Sequence, residues 1–100
     1  MPKAVIHFHP LAAAEYRAAL SWYRNRSNMA AQGFRDEIRR VIHRIAADPD
    51  QGTIFRGPYR WMRLRRFPYL VFYKSLSANA VRIQAVAHGR RRLGYWLRRK

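Results

Sequence analysis

Residues 63–73 read Arg63-Leu64-Arg65-Arg66-Phe67-Pro68-Tyr69-Leu70-Val71-Phe72-Tyr73. From Tyr69 onward both alternating faces are apolar or aromatic, since Tyr69, Val71 and Tyr73 alternate with Leu70 and Phe72. A strand without a solvent-facing side is typical of the middle of a sheet. Three arginines and a proline come before it. We therefore expect a central strand with a basic cluster and a turn at its beginning.

Further strands are predicted on both sides of the central one. The run 59–65 alternates, with Met62 and Leu64 on one face and Trp61 on the other. The run 80–88 alternates as well. Its two faces are Val81, Ile83, Ala85, Ala87 and Arg82, Gln84, Val86, His88. Joined by short connections, the three strands form an antiparallel meander.

The connecting segments contain turn residues. Segment 75–79 is polar and predicts a hairpin loop between the last two strands. Segment 50–58 contains two glycines and a proline and is predicted to be a loop before the meander. The C-terminal residues 89–100 are expected to form either a short helical turn or a mobile basic end.

The first half of the chain predicts one strand and two helices. Residues 4–8 form a short strand, and Pro10 suits the first turn of a helix over 11–25. The break at Ser27 supplies an N-cap for a second helix, which Asp48 ends because it precedes a proline. Its apolar residues recur at helical spacing, at Phe34, Ile38, Val41, Ile42 and Ile45. The two helices form an αα-hairpin.

The resulting element order is β-α-α-β-β-β. It predicts an α+β fold in which the helical hairpin packs on one face of a mainly antiparallel sheet. A chain of 100 residues has room for a single domain, 1–100, and little room for a second core. On the other face of the sheet we expect Trp61, Arg63, Arg65, His88 and the arginines after it to converge.

Positive charge is concentrated in the second half of the chain. The formal net charge is +16, yet all five acidic residues lie within the first fifty residues. Self-repulsion of this size destabilises a compact state unless an anionic partner offsets it. Nucleic acid, an acidic protein and a membrane surface are the possible partners, and the interleaved aromatics favour the first two. A bias toward arginine codons is the alternative explanation.

Several classes of site are disfavoured by the sequence. There are no cysteines, so disulfides and thiolate metal sites are excluded. No Gly-rich phosphate loop is present, and we expect no cofactor. His7 and His9 share one strand face, but without a further ligand we interpret them as structural. No apolar run is long enough to span a bilayer, and the first residues lack a signal-peptide core, which favours the cytoplasm.

The candidate binding residues form two arginine clusters that we expect to meet on one surface. They are Arg63, Arg65, Arg66 and Arg90, Arg91, Arg92, and guanidinium groups suit phosphate or carboxylate binding. Trp96 either stacks on a partner or packs on the sheet. His88 is a candidate proton donor or acceptor. Tyr95 joins it only if surrounding cations lower its pKa. We expect Trp22 and Tyr23 to lie in the seam of the helical hairpin, with a partner contact as the alternative.

These features together resemble the RelE/ParE superfamily of toxins from type II toxin–antitoxin modules. The resemblance covers nearly the whole chain and rests on His9-Pro10, Trp22-Tyr23, the helix from Phe34 to Asp48-Pro49, Arg66-Phe67-Pro68-Tyr69 and Val86-Ala87-His88-Gly89-Arg90-Arg91. It implies a β-α-α-β-β-β fold, an activity that arrests growth, and neutralisation by a small antitoxin encoded beside the toxin. An acidic antitoxin would account for the uncompensated charge.

The superfamily divides by target, and this chain shows a mixed pattern. RelE-like members cut mRNA on the ribosome and carry an arginine directly after the tyrosine that opens the central strand, where this chain has Leu70. Arg63, Arg91 and Tyr95 match other basic or tyrosine positions of the nuclease, with His88 as a further candidate. ParE-like members inhibit DNA gyrase and are not nucleases. The missing arginine favours the ParE-like side.

Three hypotheses therefore follow from the sequence. The first is a ParE-like toxin that inhibits DNA gyrase without catalysis. The second is a ribosome-dependent endoribonuclease with Arg63, His88, Arg91 and Tyr95 as catalytic residues. The third is a non-toxic basic module that binds nucleic acid. The two toxins would each have a cognate antitoxin as partner, and none of the three acts on a membrane.

Overall fold

The computed structural model describes residues 3–100 and has the predicted α+β fold. The first two residues of the predicted domain lie outside this range. The elements are β1 Val5–Phe8, α1 Pro10–Arg24, α2 Asn28–Ala47, β2 Thr53–Arg56, β3 Tyr59–Arg63, β4 Tyr69–Ser77 and β5 Ala80–His88. Among the described residues, no helix is long and apolar enough to cross a membrane.

The five strands form one sheet in the order β1-β5-β4-β3-β2. The predicted central strand, β4, lies in the middle, and the meander β3-β4-β5 is antiparallel. β1 pairs in parallel with β5, so the sheet is mixed at this side.

Two loop predictions were wrong. Segment 50–58 contains β2, a four-residue edge strand that pairs with β3 across a turn where Gly57 has φ +55°. Segment 75–79 is mostly strand, because β4 continues to Ser77 and only two residues, Ala78 and Asn79, connect it to β5. In both places polar or turn-forming residues are accommodated because a neighbouring strand supplies the backbone hydrogen bonds.

Both helices begin at capped N-termini. His9 caps α1, its Nδ1 accepting a hydrogen bond from the Leu11 amide at 3.0 Å. Ser27 caps α2 as predicted, and its hydroxyl accepts from the Ala30 amide at 3.2 Å. A side-chain acceptor at this position satisfies one of the free N–H groups of the first turn. The structural role predicted for His9 is thereby confirmed.

The main core lies between the helical hairpin and one face of the sheet. Phe34 and Val41 of α2 are fully buried there, and Tyr73 and Ile83 face them from the sheet. Tyr16 and Tyr23 stack on Phe34 with ring centroids 6.0 and 5.1 Å away. The packing follows the apolar stripe that the sequence predicted for α2.

The other face of the sheet carries a second, smaller core, which the sequence did not predict. Phe72, Ala85 and Ala87 are buried there beneath Trp96, with Trp61 and Leu70 packed around them. Residues 89–100, hereafter the tail, thus fold back over the sheet in a series of turns. The expectation of an open basic face was wrong, because aromatic side chains of the tail cover it.

A β-bulge in β5 changes which residues share a face. Phe72 pairs with Ala85 and Tyr73 with Ile83, so Gln84 is an extra residue. The bulge shifts the alternation by one residue beyond it. Val86 therefore faces the helices, whereas Ala85 and Ala87 face the tail, and the predicted alternation is wrong after residue 84.

Candidate functional site

The two arginine clusters flank the same end of the sheet, where β3 and β5 end and β4 begins. Tyr69 pairs with His88, and Arg63 pairs with Leu70. The Gly89 amide donates a hydrogen bond of 2.7 Å to the Pro68 carbonyl, which ties the turn before β4 to the turn after β5. The six arginines are all exposed, so this end of the molecule is basic.

The first cluster is partly turned toward the second helix. The Arg65 amide donates to the Glu37 carboxylate at 2.6 Å. Arg65 and Arg66 line an open hollow together with Asp36 and Glu37. The pKa of Glu37 is lowered by its hydrogen bonds from Arg40 and from the Arg65 amide, which outweigh the effect of burial. Acids of the same chain therefore already face part of this cluster.

His88 is half-buried at the end of β5. Its Nδ1 accepts a hydrogen bond from the Arg90 amide at 3.1 Å, and its ring meets the Tyr69 ring edge-on with centroids 5.1 Å apart. Nε2 is thus the ring nitrogen left for contact with another molecule. Through its bond to the Arg90 amide, His88 stabilises the turn that leads into the tail.

Tyr95 is held by Glu15, a residue that the sequence analysis did not select. Its hydroxyl donates to the Glu15 carboxylate, and the Arg91 guanidinium lies over its ring, 4.0 Å from the centroid. Burial and the Glu15 carboxylate raise the pKa of Tyr95 above that of a free phenol, despite Arg91 and Arg99 nearby. The cations do act to lower this pKa, but burial and Glu15 outweigh them, so the expected net lowering was wrong and Tyr95 is unsuited to act as a base.

Glu15 accepts four hydrogen bonds from three residues, one in β5 and two in the tail. Its Oε1 accepts from the Val86 amide at 3.0 Å and from Arg99 at 2.9 Å; its Oε2 accepts from Arg99 at 2.8 Å and from Tyr95. Burial raises the pKa of Glu15, but the bonds from Arg99, Tyr95 and Val86 outweigh it and hold the pKa below its usual range. Glu15 therefore joins α1 to β5 and to the tail as an ionised group.

Trp96 lies in the second core and not on the surface. It is 0% exposed, with its ring centroid 4.6 Å from that of Phe72 and 4.8 Å from that of Tyr59. Of the two alternatives for Trp96, packing on the sheet is confirmed. Contact with a target or antitoxin was wrong, because the ring is fully buried against the sheet.

A cavity of about 430 Å³ opens beside these residues, between α1, the ends of β4 and β5, and the tail. His88, Arg91 and Tyr95 all line it, so the structure brings three candidate residues together, while Arg63 is not among the lining residues. Trp22, also in the wall, is 50% exposed. The predicted place in the helix seam was therefore wrong for Trp22 and right for Tyr23, which packs on Phe34 of α2. The tryptophan on an Ala-rich helix was a sequence signal for this cavity, but its exposure could not be seen from the sequence.

Comparisons with known proteins agree with this architecture. A sequence comparison with curated proteins gives no match. A chain of the structure described as the chromosomal ParDE toxin–antitoxin system from P. aeruginosa is similar in fold, with a TM-score of 0.71 at 15% identity, covering 86% of this chain and 96% of that chain. The family model described as the ParE toxin of the type II toxin–antitoxin system, parDE, matches residues 6–93. That match spans both helices, the sheet from Ile6 onward and the arginine clusters, and by it the chain belongs to the ParE toxin family of type II toxin–antitoxin systems.

Proposed function

We propose that this toxin arrests growth by inhibiting DNA gyrase and that it does so by binding, without catalysing a reaction. Leu70 is the observation that supports action without catalysis. It stands where a RelE-like nuclease has an arginine, and its side chain packs among the aromatic residues of the second core. Charge stabilisation of a cleaved phosphate would have to come from elsewhere.

A ribosome-dependent endoribonuclease is the second candidate, because His88, Arg91 and Tyr95 line one cavity. General acid–base catalysis needs two groups that exchange protons near neutral pH. The raised pKa of Tyr95 and its bond to Glu15 leave only His88 for this work. The arrangement therefore supports the binding function better.

The comparison to test these two activities uses purified toxin in parallel assays. Relaxed plasmid and gyrase should yield less supercoiled DNA as toxin is added, with topoisomers resolved by electrophoresis. Translated mRNA should stay intact at the same toxin concentration. The opposite result would be cleavage of the mRNA at codon boundaries, lost in His88→Ala, while gyrase activity is unaffected. It would reject gyrase inhibition in favour of the endoribonuclease.

We also propose that the cognate antitoxin binds the basic end of the sheet through its own carboxylates. Residues 51–100 contain no acidic residue, so compensation for the exposed arginines must come from the first fifty residues or from a partner. Reversing Arg63, Arg65 and Arg66 to Glu should weaken the toxin–antitoxin complex at least tenfold in a calorimetric titration. A matched variant reverses exposed Arg24, Arg35 and Arg39 on the helices; equal affinities for the two variants would place the contact elsewhere.

A further inference from the structure

The cavity beside α1 has the size and lining of a binding pocket. Its volume, about 430 Å³, falls within the range of roughly 300–1,000 Å³ typical of pockets for small organic groups. Its walls include the rings of Trp22, Tyr23 and Tyr69 and the methyl groups of Ala18 and Val86. A large apolar group would be shielded from water here, and its burial would stabilise binding by roughly 25 cal/mol per Å² of apolar surface.

The one carboxylate that lines the cavity in the described part of the chain, Glu15, is already satisfied. The Glu15 carboxylate accepts four hydrogen bonds, from the Val86 amide, twice from Arg99 and from Tyr95. A carboxylate offers about four lone-pair sites. An incoming group therefore finds no free acceptor in Glu15, and this disfavours a nucleic-acid base, whose edge atoms need partners of their own.

The mouth of the cavity has the opposite character. The Arg91 guanidinium lies over the Tyr95 ring, 4.0 Å from its centroid, and has no hydrogen-bond acceptor among residues 3–100. Stacking leaves the in-plane N–H groups of a guanidinium available for a carboxylate, which they bind in bidentate fashion. On the α1 side, Arg26 lies 3.5 Å over the Trp22 ring, so both aromatic residues at the mouth carry a cation.

We propose that this cavity binds a bulky apolar side chain of the cognate antitoxin, and that Arg91 binds an antitoxin carboxylate close to that side chain in sequence. The proposal rests on the proposed toxin–antitoxin contact and specifies its anchor. An apolar group in a desolvated pocket, surrounded by charged contacts at the rim, is the usual form of an energetic hot spot between proteins. The occupant is thus an acidic protein segment with one large apolar residue.

The test fills the cavity without removing any interaction of the fold. Ala18 is exposed and lines the cavity, so Ala18→Trp should occupy the space and weaken binding of the purified full-length antitoxin at least tenfold in calorimetry. Ala47→Trp adds the same side chain at an exposed helical position outside the cavity and should bind like the native protein. Equal affinities for the native protein and both variants would overturn the proposal.

Two further measurements keep the proposal testable if Ala18→Trp folds poorly. The indole N–H resonance of Trp22 should shift when antitoxin binds, and an unshifted resonance in the saturated complex counts against the cavity. Arg91→Gln should weaken binding roughly tenfold, more than Arg92→Gln, whose exposed side chain does not line the cavity. Equal effects of these two changes would remove the carboxylate contact from the proposal.

Gyrase inhibition by the native toxin is measured separately, without antitoxin. Absence of inhibition would reject the gyrase target while leaving the antitoxin affinities of the variants interpretable. Normal inhibition together with unchanged affinity in Ala18→Trp would reject the cavity alone.

Discussion

Replacing Glu15 by alanine should release the tail and markedly destabilise the fold. β1 pairs with β5 only as far as Ile83, and beyond that point the Glu15 carboxylate accepts the Val86 amide in place of a neighbouring strand. The same carboxylate binds Arg99 and Tyr95 in the tail. One substitution therefore removes the acceptor of a backbone N–H and an ion pair together.

The expected cost is about 3–4 kcal/mol, estimated from two losses. Val86 is 2% exposed, and a buried N–H without an acceptor costs roughly 1–3 kcal/mol. The side chains of Arg99 and Glu15 are 12% and 17% exposed. Breaking a buried pair costs about 3–5 kcal/mol, so the two losses together would come to about 4–8 kcal/mol for fully buried groups. We expect a value at or just below the bottom of that range because Arg99 keeps its bond to the Gln84 carbonyl and both side chains touch solvent.

Urea titration followed by circular dichroism measures this loss. About 3 kcal/mol corresponds to a fall in Tm of roughly 12–24 °C for a domain of this size. Glu15→Gln should cost less, about 2 kcal/mol, because its amide oxygen still accepts one neutral hydrogen bond. Asp36→Ala is the control: Asp36 is exposed, and its loss should change stability by less than about 0.5 kcal/mol.

The effect should depend on pH in one direction. The pKa of Glu15 is lower in the folded chain than its ordinary value of 4.5. At a pH between these two pKa values, the folded state therefore binds fewer protons than the unfolded state. Stability from this carboxylate is complete above that ordinary value and is lost as the pH falls through the folded pKa. The gap between native protein and Glu15→Gln should therefore narrow below about pH 4.5. A Glu15→Ala cost under about 1 kcal/mol, or a gap that widens in acid, would refute this reasoning.

Three further substitutions probe other parts of the fold by the same titration. Trp96→Ala should cost about 3–5 kcal/mol, since it empties the centre of the second core; a loss below 1 kcal/mol, as for an exposed residue, would mean that the tail does not pack there. Gly33→Ala should stabilise the protein by about 0.5–1 kcal/mol, because glycine disfavours a helix interior and the added Cβ meets Phe67 at an ordinary 3.4 Å; a decrease would show that Phe67 cannot yield. Arg66→Gly should raise stability by about 0.5–1 kcal/mol by relieving a left-handed backbone at φ 66°, and no gain would indicate that the greater freedom of the unfolded chain offsets it.

Local patterns were sufficient for the elements that depend on local physics. The apolar stripe of α2 and its Ser27 cap are properties of neighbouring residues, and both are present as predicted. The central position of β4 followed from its two apolar faces. β2 was missed because four residues between glycines carry little signal, and the strand exists through its pairing with β3.

The candidate site depended on contacts that no local pattern contains. Glu15 and Arg99 are 84 positions apart and meet only because the tail folds back over the sheet. The bulge at Gln84 is a register change set by β4, and it decides that Val86 faces α1. Trp96 illustrates the same point. Its sequence neighbours are polar or basic as often as apolar, and it is buried because it packs on Phe72 and Ala85 of the sheet.

The distribution of charge acquires a different meaning once Glu15 is placed. Counted along the chain, it belongs to the half that contains all the acidic residues; in the fold it neutralises Arg99 in the tail. Arg65 and Arg66 face Asp36 and Glu37 across the hollow near α2. Among the described residues, none of the six exposed arginines at this end of the sheet forms an ion pair. Arg65 and Arg66 nevertheless share a hollow with two acids of the chain, whereas Arg63 and Arg90 to Arg92 do not line that hollow. Because an acidic partner gains most where no acid of the toxin competes, the antitoxin contact should depend more on the arginines after β5 than on those before β4.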